Sequence, residues 1–332
     1  MCGRTNVSRS TCSAACAGRC DWPTAPANPA ARSESHHERR PAASRHAALR
    51  IPAVSSQHYP ATFLQAARKQ LQWDEPAEPA KIVGPIHFVG TRGLGSFLIT
   101  GDRGHVLLYT GMPGSGEMIG KSIAKLGFKP NDVKIILTGH AHVDHVGGHA
   151  WLKKATGAKI AMMREEAELF ESGGKQDFHY GGIKDFAFDP AKVDVLFRDE
   201  DEIKLGDIAI LARHTPGHTK GSTTYIMKVK EGGKTYTVVF PDGTSVNPGY
   251  RLAKNPSYKG IADDYRRTFR ILEGLKPDIW LAPHNDLYGL DAKLAKAVKS
   301  GPAAWVDPEG YKKFVAVKKE MFEAAVDKEK QP

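Results

Sequence analysis

Cysteine is absent after Cys20, so residues 21–332 can form neither a disulfide framework nor a thiolate metal site. Either redox compartment is compatible with that. Of the four cysteines present, Cys12, Cys16 and Cys20 are spaced by four, which suits one helix face, whereas the paired CxxC pattern of common zinc modules is missing. Cys2 adds nothing to that pattern. Long apolar runs are missing too: none approaches the roughly 20 residues of a membrane span, and no apolar stretch of about 7–15 residues before a cleavage site opens the chain. The sequence therefore predicts no membrane span and shows no clear leader. A formal net charge of +10 raises nucleic acid as a partner. The lysines are spread over both halves, however, and no aromatic-interleaved basic stretch offers a stacking platform, so no nucleic-acid partner is predicted.

At 332 residues the chain exceeds the size at which one core usually stops growing, which predicts one domain with an appendage. Residues 1–60 are rich in Ala, Pro, Ser and basic side chains and have almost no apolar period. They read as a disordered extension, because they bury too little surface to offset chain entropy. Residues 61–80 read as a linker or short helix, with Ala61 to Trp73 as its helical part, and 81–330 as the main domain. Strands are predicted from Lys81 to Thr110, then a helix (Gly116 to Phe128), the strand Val133 to Leu137, a helix (Gly148 to Thr156), a strand (Lys159 to Met163) and an acidic helix (Arg164 to Ser172). A second half repeats the theme, with strands near Val193, Ile208, Thr223 and Val238, a helix (Ile261 to Leu272) and a short strand (Ile279 to Leu281). Gly232-Gly233 marks a hairpin. The run Tyr311 to Lys328 places Phe314, Val315, Val317, Met321, Phe322 and Ala325 at helical spacing, which predicts a helix docked by its apolar face.

What the chain does have is His140-Ala-His142-Val-Asp144-His145, four metal-ligating side chains within six residues at the end of an apolar strand. His140 and His142, two apart on extended backbone, point to one side and can share one ion, while Asp144 and His145 turn toward a second. Grouping such imidazoles without a cation would crowd groups that titrate near neutral pH. In His214-Thr215-Pro216-Gly217-His218-Thr219 a Pro-Gly turn presents His218 at a loop tip, with His214 as its competitor at the strand end. His284 follows Asp278 to Pro283, again an apolar strand running into a loop. Three strand ends thus carry candidate ligands, the usual place for a site in an open α/β sheet.

These three motifs, HAHVDH, HTPGHT and the final Pro283-His284, resemble the metallo-β-lactamase superfamily. Gly90-Thr91, the Gly95 to Thr100 segment, Lys125-Leu126-Gly127-Phe128, Pro248-Gly249-Tyr250 and Asp264 to Phe269 are similar to the third subclass (B3) of the class B enzymes, over about residues 80 to 300. The resemblance implies an α/β fold, the αβ/βα four-layer sandwich with two β-sheets and external helices. It implies two zinc ions, the first held by His140, His142 and His218 and the second by Asp144, His145 and His284. A zinc-bound hydroxide, oriented by Asp144, would open the β-lactam ring of penicillins, cephalosporins or carbapenems, and Ser245 would contact the substrate carboxylate. Such an enzyme would confer antibiotic resistance as a periplasmic monomer.

Three positions depart from the subclass pattern. Tyr109 stands where the family's Asp-Thr-Gly segment has its aspartate, a carboxylate that supports the metal ligands. Losing a partner of that kind typically costs about 10–100-fold in affinity or activity, so Tyr109→Asp is expected to strengthen zinc binding. Gly243 and Gly139 replace serines common in the subclass. The main alternative within the fold is a thioesterase or lactonase of the glyoxalase II kind, with Asp242 as an aspartate bridging the metals. A nuclease and a zinc-binding protein without catalysis are the others, the latter motivated by Tyr109.

Overall fold

Two patterns of burial along the strands separate the two sheets of the molecule. In the computed structural model, which describes Arg19–Cys20 and residues 59–330, the chain enters through β1 (Arg19–Cys20) and α1 (Tyr59–Gln70). The first sheet then follows in chain order: β2 (Ala80–Val83), β3 (Ile86–Phe88), β4 (Phe97–Ile99), β5 (His105–Leu108), β6 (Val133–Leu137), β7 (Lys159–Met163) and β8 (Val195–Phe197). β2 to β5 pair antiparallel through short turns, whereas β5 to β8 pair parallel. Parallel neighbours need crossovers. These contain α2 (Ser115–Lys125), then α3 (Val143–Val146) with α4 (His149–Thr156), then α5 (Ala167–Glu171). β3, β4 and β5 are buried along their whole length, the pattern of strands covered on both faces.

The second sheet has the order β1, β9 (Glu202–Leu205), β10 (Ile208–His214), β11 (Thr223–Glu231), β12 (Lys234–Phe240), β13 (Ile279–Trp280). Here burial alternates: in β10, Ile208, Ile210 and Ala212 are buried while the residues between them are not, so one face meets the core. The β11–β12 hairpin turns through Gly232 and Gly233, both at positive φ (56° and 77°), as a primed turn requires. α6 (Ile261–Gly274), α7 (Asn285–Tyr288), α8 (Leu290–Ser300) and α9 (Pro308–Lys330) complete the chain. Two sheets with helices outside form the expected αβ/βα sandwich. No helix among the described residues is long and apolar enough to cross a membrane.

Two expectations need correction. The acidic stretch Arg164 to Ser172, expected as one helix, is a 3₁₀ turn (Arg164–Glu166) followed by the short α5, and Glu166 is buried. In α9 the buried residues are Tyr311, Phe314, Val315, Phe322 and Val326, whereas Val317 and Met321 are 43% and 59% exposed. Met321 instead lines a surface cavity. The extension expected over residues 1–60 lies outside the described residues, apart from the start of α1 and Arg19–Cys20, which pair parallel with Glu202 and Ile203 on β9.

The helix expected at Ala61 to Trp73 spans Tyr59–Gln70, and Leu64, Ala67 and Trp73 are buried in the main core. This segment walls the cleft described below, through Leu64, Leu71 and Trp73. Trp73→Ala should therefore lower stability by about 3–5 kcal/mol, read as the shift in the midpoint of denaturant unfolding. An unchanged midpoint would show that the Trp73 ring adds nothing to the core.

Candidate metal centre

β6 delivers the chain to the centre of the molecule and stops, because Thr138 and Gly139 lead into a loop instead of a further ladder. The Thr138 hydroxyl donates to the His140 carbonyl at 2.7 Å, which closes the turn between them. His140 and His142 leave on this loop, and Asp144 and His145 sit in α3, a single turn of helix. His218 comes from the loop after β10, whose Pro216 carbonyl accepts from Thr268 of α6 at 2.6 Å. His284 stands just before α7 with its ring 5.3 Å from that of Trp73. The structure brings six of these side chains into two triads, His140–His142–His218 and Asp144–His145–His284, with one ligand atom from each residue within 4.8 Å of the others in its triad. Neighbouring imidazole centroids lie 4.4 to 4.9 Å apart. His214, the competitor, lies in neither: its Nε2–H donates to the Lys220 carbonyl and its Nδ1 accepts from Arg267.

Each ring of the first triad has one nitrogen engaged, which leaves the other for a cation. His140 Nδ1–H donates to Asp242 Oδ1 (2.7 Å), His142 Nε2–H to Asp177 Oδ2 (3.1 Å) and His218 Nδ1–H to the Ser245 carbonyl (2.6 Å). His140 Nε2 is then buried without any partner, a costly state for a protein that never binds a cation there. In the second triad, Asp144 Oδ2 lies 3.1 Å from His145 Nε2 and 3.6 Å from His284 Nε2. Burial holds His140, His145 and His218 well below the ordinary histidine range, with the neighbouring imidazoles adding to the effect. They are therefore neutral, the form in which imidazole ligates a metal. A three-imidazole site and a site of one carboxylate and two imidazoles both fit zinc.

The superfamily's sequence profile, described as "Metallo-beta-lactamase superfamily", matches residues 96–231. Among solved structures, the native FEZ-1 metallo-β-lactamase from Legionella gormanii is 38% identical, with 78% of this chain and 98% of that one covered and a TM-score of 0.76. The chain belongs to the metallo-β-lactamase superfamily. The subclass B3 metallo-β-lactamase BJP-1 of Bradyrhizobium japonicum is similar as well, at 37% identity, 78% and 97% coverage and a TM-score of 0.74. A curated relative of another kind, the hydroxyacylglutathione hydrolase GloC of Haemophilus influenzae, is 36% identical over 34% of this chain and 52% of its own length. The chain spans about half the length of the first curated relatives it matches.

In this member of the superfamily the support under the ligands is not missing, as Tyr109 alone would suggest. It comes from Asp242, beyond the end of β12. Tyr109 is fully buried and its hydroxyl donates to Asp242 Oδ2 at 3.1 Å, while Oδ1 accepts from His140 and from the Gly243 N–H. Burial pushes the Asp242 carboxyl up to about 6. Gly139 leaves the room this arrangement needs, because a Cβ there would lie 1.8 Å from Asp242 Oδ2. Gly243 answers to sterics as well: its φ is 78° and a Cβ would meet the Thr215 carbonyl at 2.1 Å. Neither glycine is simply a lost polar group. Ser245 lines the same cleft, where its hydroxyl accepts from Lys318 Nζ at 3.2 Å.

Two buried acids tie the ligand loops together and escape any reading of local pattern. Asp177 holds His142, and although burial raises its carboxyl, His142 and the N–H groups of Tyr180 and His179 bring it down to about 2. Glu166 accepts from the Ala141 N–H between the first two ligands, and from the Thr219 hydroxyl and Gly221 N–H beside His218. One carboxylate thus fixes both loops of the first triad. In Glu166→Gln the amide NH₂ would face a donor instead of accepting from it. The expected result is a loss of about 1–3 kcal/mol in stability and about 10-fold or more in zinc affinity, by thermal unfolding and chelator competition. Unchanged values for both would mean that the loops hold themselves.

Proposed function

We propose that the protein is a two-zinc hydrolase that opens the β-lactam ring of penicillins, cephalosporins and carbapenems. The observation that carries this is the pairing of a three-imidazole triad with an Asp-His-His triad in one cleft. Likeness to B3 β-lactamases across nearly their whole length supports it. Zinc bound at the two triads would supply a water acidified to a pKa of about 7 and an electrophile for the carbonyl oxygen. The Asp144 carboxylate would also accept a hydrogen bond from the attacking water and aim it at the carbonyl carbon. Asp242 and Asp177 hold His140 and His142 with the other ring nitrogen left free for a metal, so little reorganisation would be left for the moment of reaction. Ser245 would contact the substrate's carboxylate. On the same resemblance we place the enzyme in the periplasm as a monomer conferring antibiotic resistance.

The second reading, a glyoxalase II-like thioesterase or lactonase, is favoured by Asp242 lining the cleft and by the curated relatives of that activity. Against it, the Asp242 oxygens are engaged by His140, Gly243 and Tyr109, and Asp242 belongs to neither triad. The deciding experiment compares turnover of nitrocefin, a glutathione thioester and an acyl-homoserine lactone by one zinc-loaded sample. The proposal expects nitrocefin to be the preferred substrate by kcat/KM. A higher value for the thioester or the lactone would transfer the assignment to the second reading.

A further inference from the structure

Between Phe240, the end of β12, and Ile261, the start of α6, the chain forms neither strand nor helix. Backbone of that kind has no ladder to hold it and must be fixed by other partners. Residues 245–254 of this stretch grip the first triad twice. The Ser245 carbonyl accepts from His218 Nδ1–H and from the Tyr265 hydroxyl, both at 2.6 Å, and the Tyr250 hydroxyl donates to the His218 carbonyl at 3.0 Å. One loop thus holds His218 by its ring and by its backbone.

A surface cavity of about 900 Å³ separates this loop from α9, with residues 244–251, 253 and 254 on one side and Lys318, Met321, Ala325 and residues 328–330 on the other. Packing therefore does not set their spacing, and hydrogen bonds span the gap instead. At the near end Lys318 Nζ donates to the Ser245 hydroxyl at 3.2 Å. At the far end Glu329, in the last turn of α9, accepts from the N–H groups of Leu252, Ala253 (3.0 Å) and Lys254 (3.4 Å). Three successive backbone donors make a concave anion site, and the chain fills it with its own carboxylate. Burial works to raise the Glu329 carboxyl, but these N–H groups and Arg251 outweigh it and hold it below the ordinary glutamate range. The post to which the loop is tied is firm. Val326 and Phe322, about one and two turns back along α9, are buried, and the Phe322 ring stacks on Tyr265 at 5.0 Å and 25°.

We propose that Glu329 is a positioning residue for the first metal triad: by clamping residues 252–254 to the end of α9 it fixes where Tyr250 stands, and with it the place of His218. Tyr250 lies two residues before the first of the clamped N–H groups. The rings of Phe178 and His179 also pack on Tyr250, at 4.9 and 4.8 Å, which keeps the expected effect at the low end for a group that orients a ligand. The inference rests on the reading of the first triad as a zinc site and is independent of the substrate.

The test uses the zinc-loaded full chain and its Glu329→Ala and Glu329→Gln variants, with two readouts besides activity: NMR hydrogen exchange of the His218 and His140 ring N–H protons, and zinc affinity by chelator competition. In Glu329→Ala the His218 proton should exchange about 10-fold faster and zinc affinity should fall by about 10-fold. The His140 proton, which Asp242 holds from outside the loop, should keep its wild-type rate. Formate, small enough to take the place of the carboxylate on the three N–H groups, should restore both values in Glu329→Ala and change neither in wild type. Glu329→Gln keeps one oxygen acceptor without the charge and should fall between. Equal acceleration of both ring protons would mean general loosening and overturns the proposal. So does a Glu329→Ala protein with wild-type His218 exchange, or one that formate does not restore. If that variant does not fold, Glu329→Gln decides by the same comparison of the two ring protons, and an unchanged His218 rate overturns the proposal. If the protein binds no zinc, the two-zinc reading falls, and the same spectra of the metal-free chain still decide whether Glu329 places His218.

Discussion

Asp144→Ala is expected to reduce the zinc content of the purified protein from two ions per chain to one, and to lower β-lactam turnover by more than about 100-fold. Residues that only orient a metal ligand typically account for about 10–100-fold, and Asp144 does more than that. It is the single anionic side chain among the six convergent groups, and its Oδ2 stands within 3.6 Å of both imidazoles of its triad. Without it the second ion would have two neutral imidazoles, fewer than the three protein ligands usual for a catalytic zinc. The first triad shares no side chain with the second and should keep its ion. Burial raises the Asp144 carboxyl, and the His284 and His142 imidazoles act against that shift. Elemental analysis and nitrocefin kinetics on the same samples check both halves, and chelators should abolish the wild-type activity. A wild type that saturates at one zinc, or a variant that keeps two, would contradict the division into two triads.

Much of this site is legible in the sequence because ligation is a local affair. HAHVDH places four donors within six residues, and the turn chemistry of Pro216-Gly217 presents His218 and leaves His214 on its strand. The sheets are legible for a similar reason, since short apolar runs bounded by turns mark β5, β6 and β7 without reference to anything distant. What holds the ligands is another matter. Glu166 meets Ala141 across 25 residues, Asp177 meets His142 across 35 and Asp242 meets His140 across 102. A buried carboxylate leaves no periodic trace, and Glu166 sits in a stretch whose charge reads as a solvated helix. Lys318 is hidden in the same way. It occupies a polar position of an amphipathic helix, where solvent is the expected neighbour, and only the docking of α9 through Phe314 turns it inward.

Asp242→Ala is expected to weaken zinc binding by about 10–100-fold and to lower stability by several kcal/mol. It strands three donors, His140 Nδ1–H, the Gly243 N–H and the Tyr109 hydroxyl, each worth about 1–3 kcal/mol when left buried and unpaired. Tyr109 then follows from Asp242. Judged by sequence alone, Tyr109→Asp should improve the metal site. With Asp242 already beneath His140, the change would instead remove a buried ring and set a second carboxylate near the first, without the hydroxyl that donates to it. A void of that kind costs about 3–5 kcal/mol. One contribution runs the other way: Tyr109 has φ 62°, a left-handed conformation that aspartate tolerates better, worth at most about 1–2 kcal/mol. The cavity and the unpaired charge outweigh it. Tyr109→Phe separates the two roles, because it keeps the ring and loses only the donor. It should cost about 1–3 kcal/mol and less zinc affinity than Asp242→Ala. Chelator competition and thermal unfolding on the three variants give the order directly. A folded Tyr109→Asp that binds zinc more tightly than wild type would show that the aspartate this strand end lacks, and not Asp242, is the carboxylate the metal centre needs.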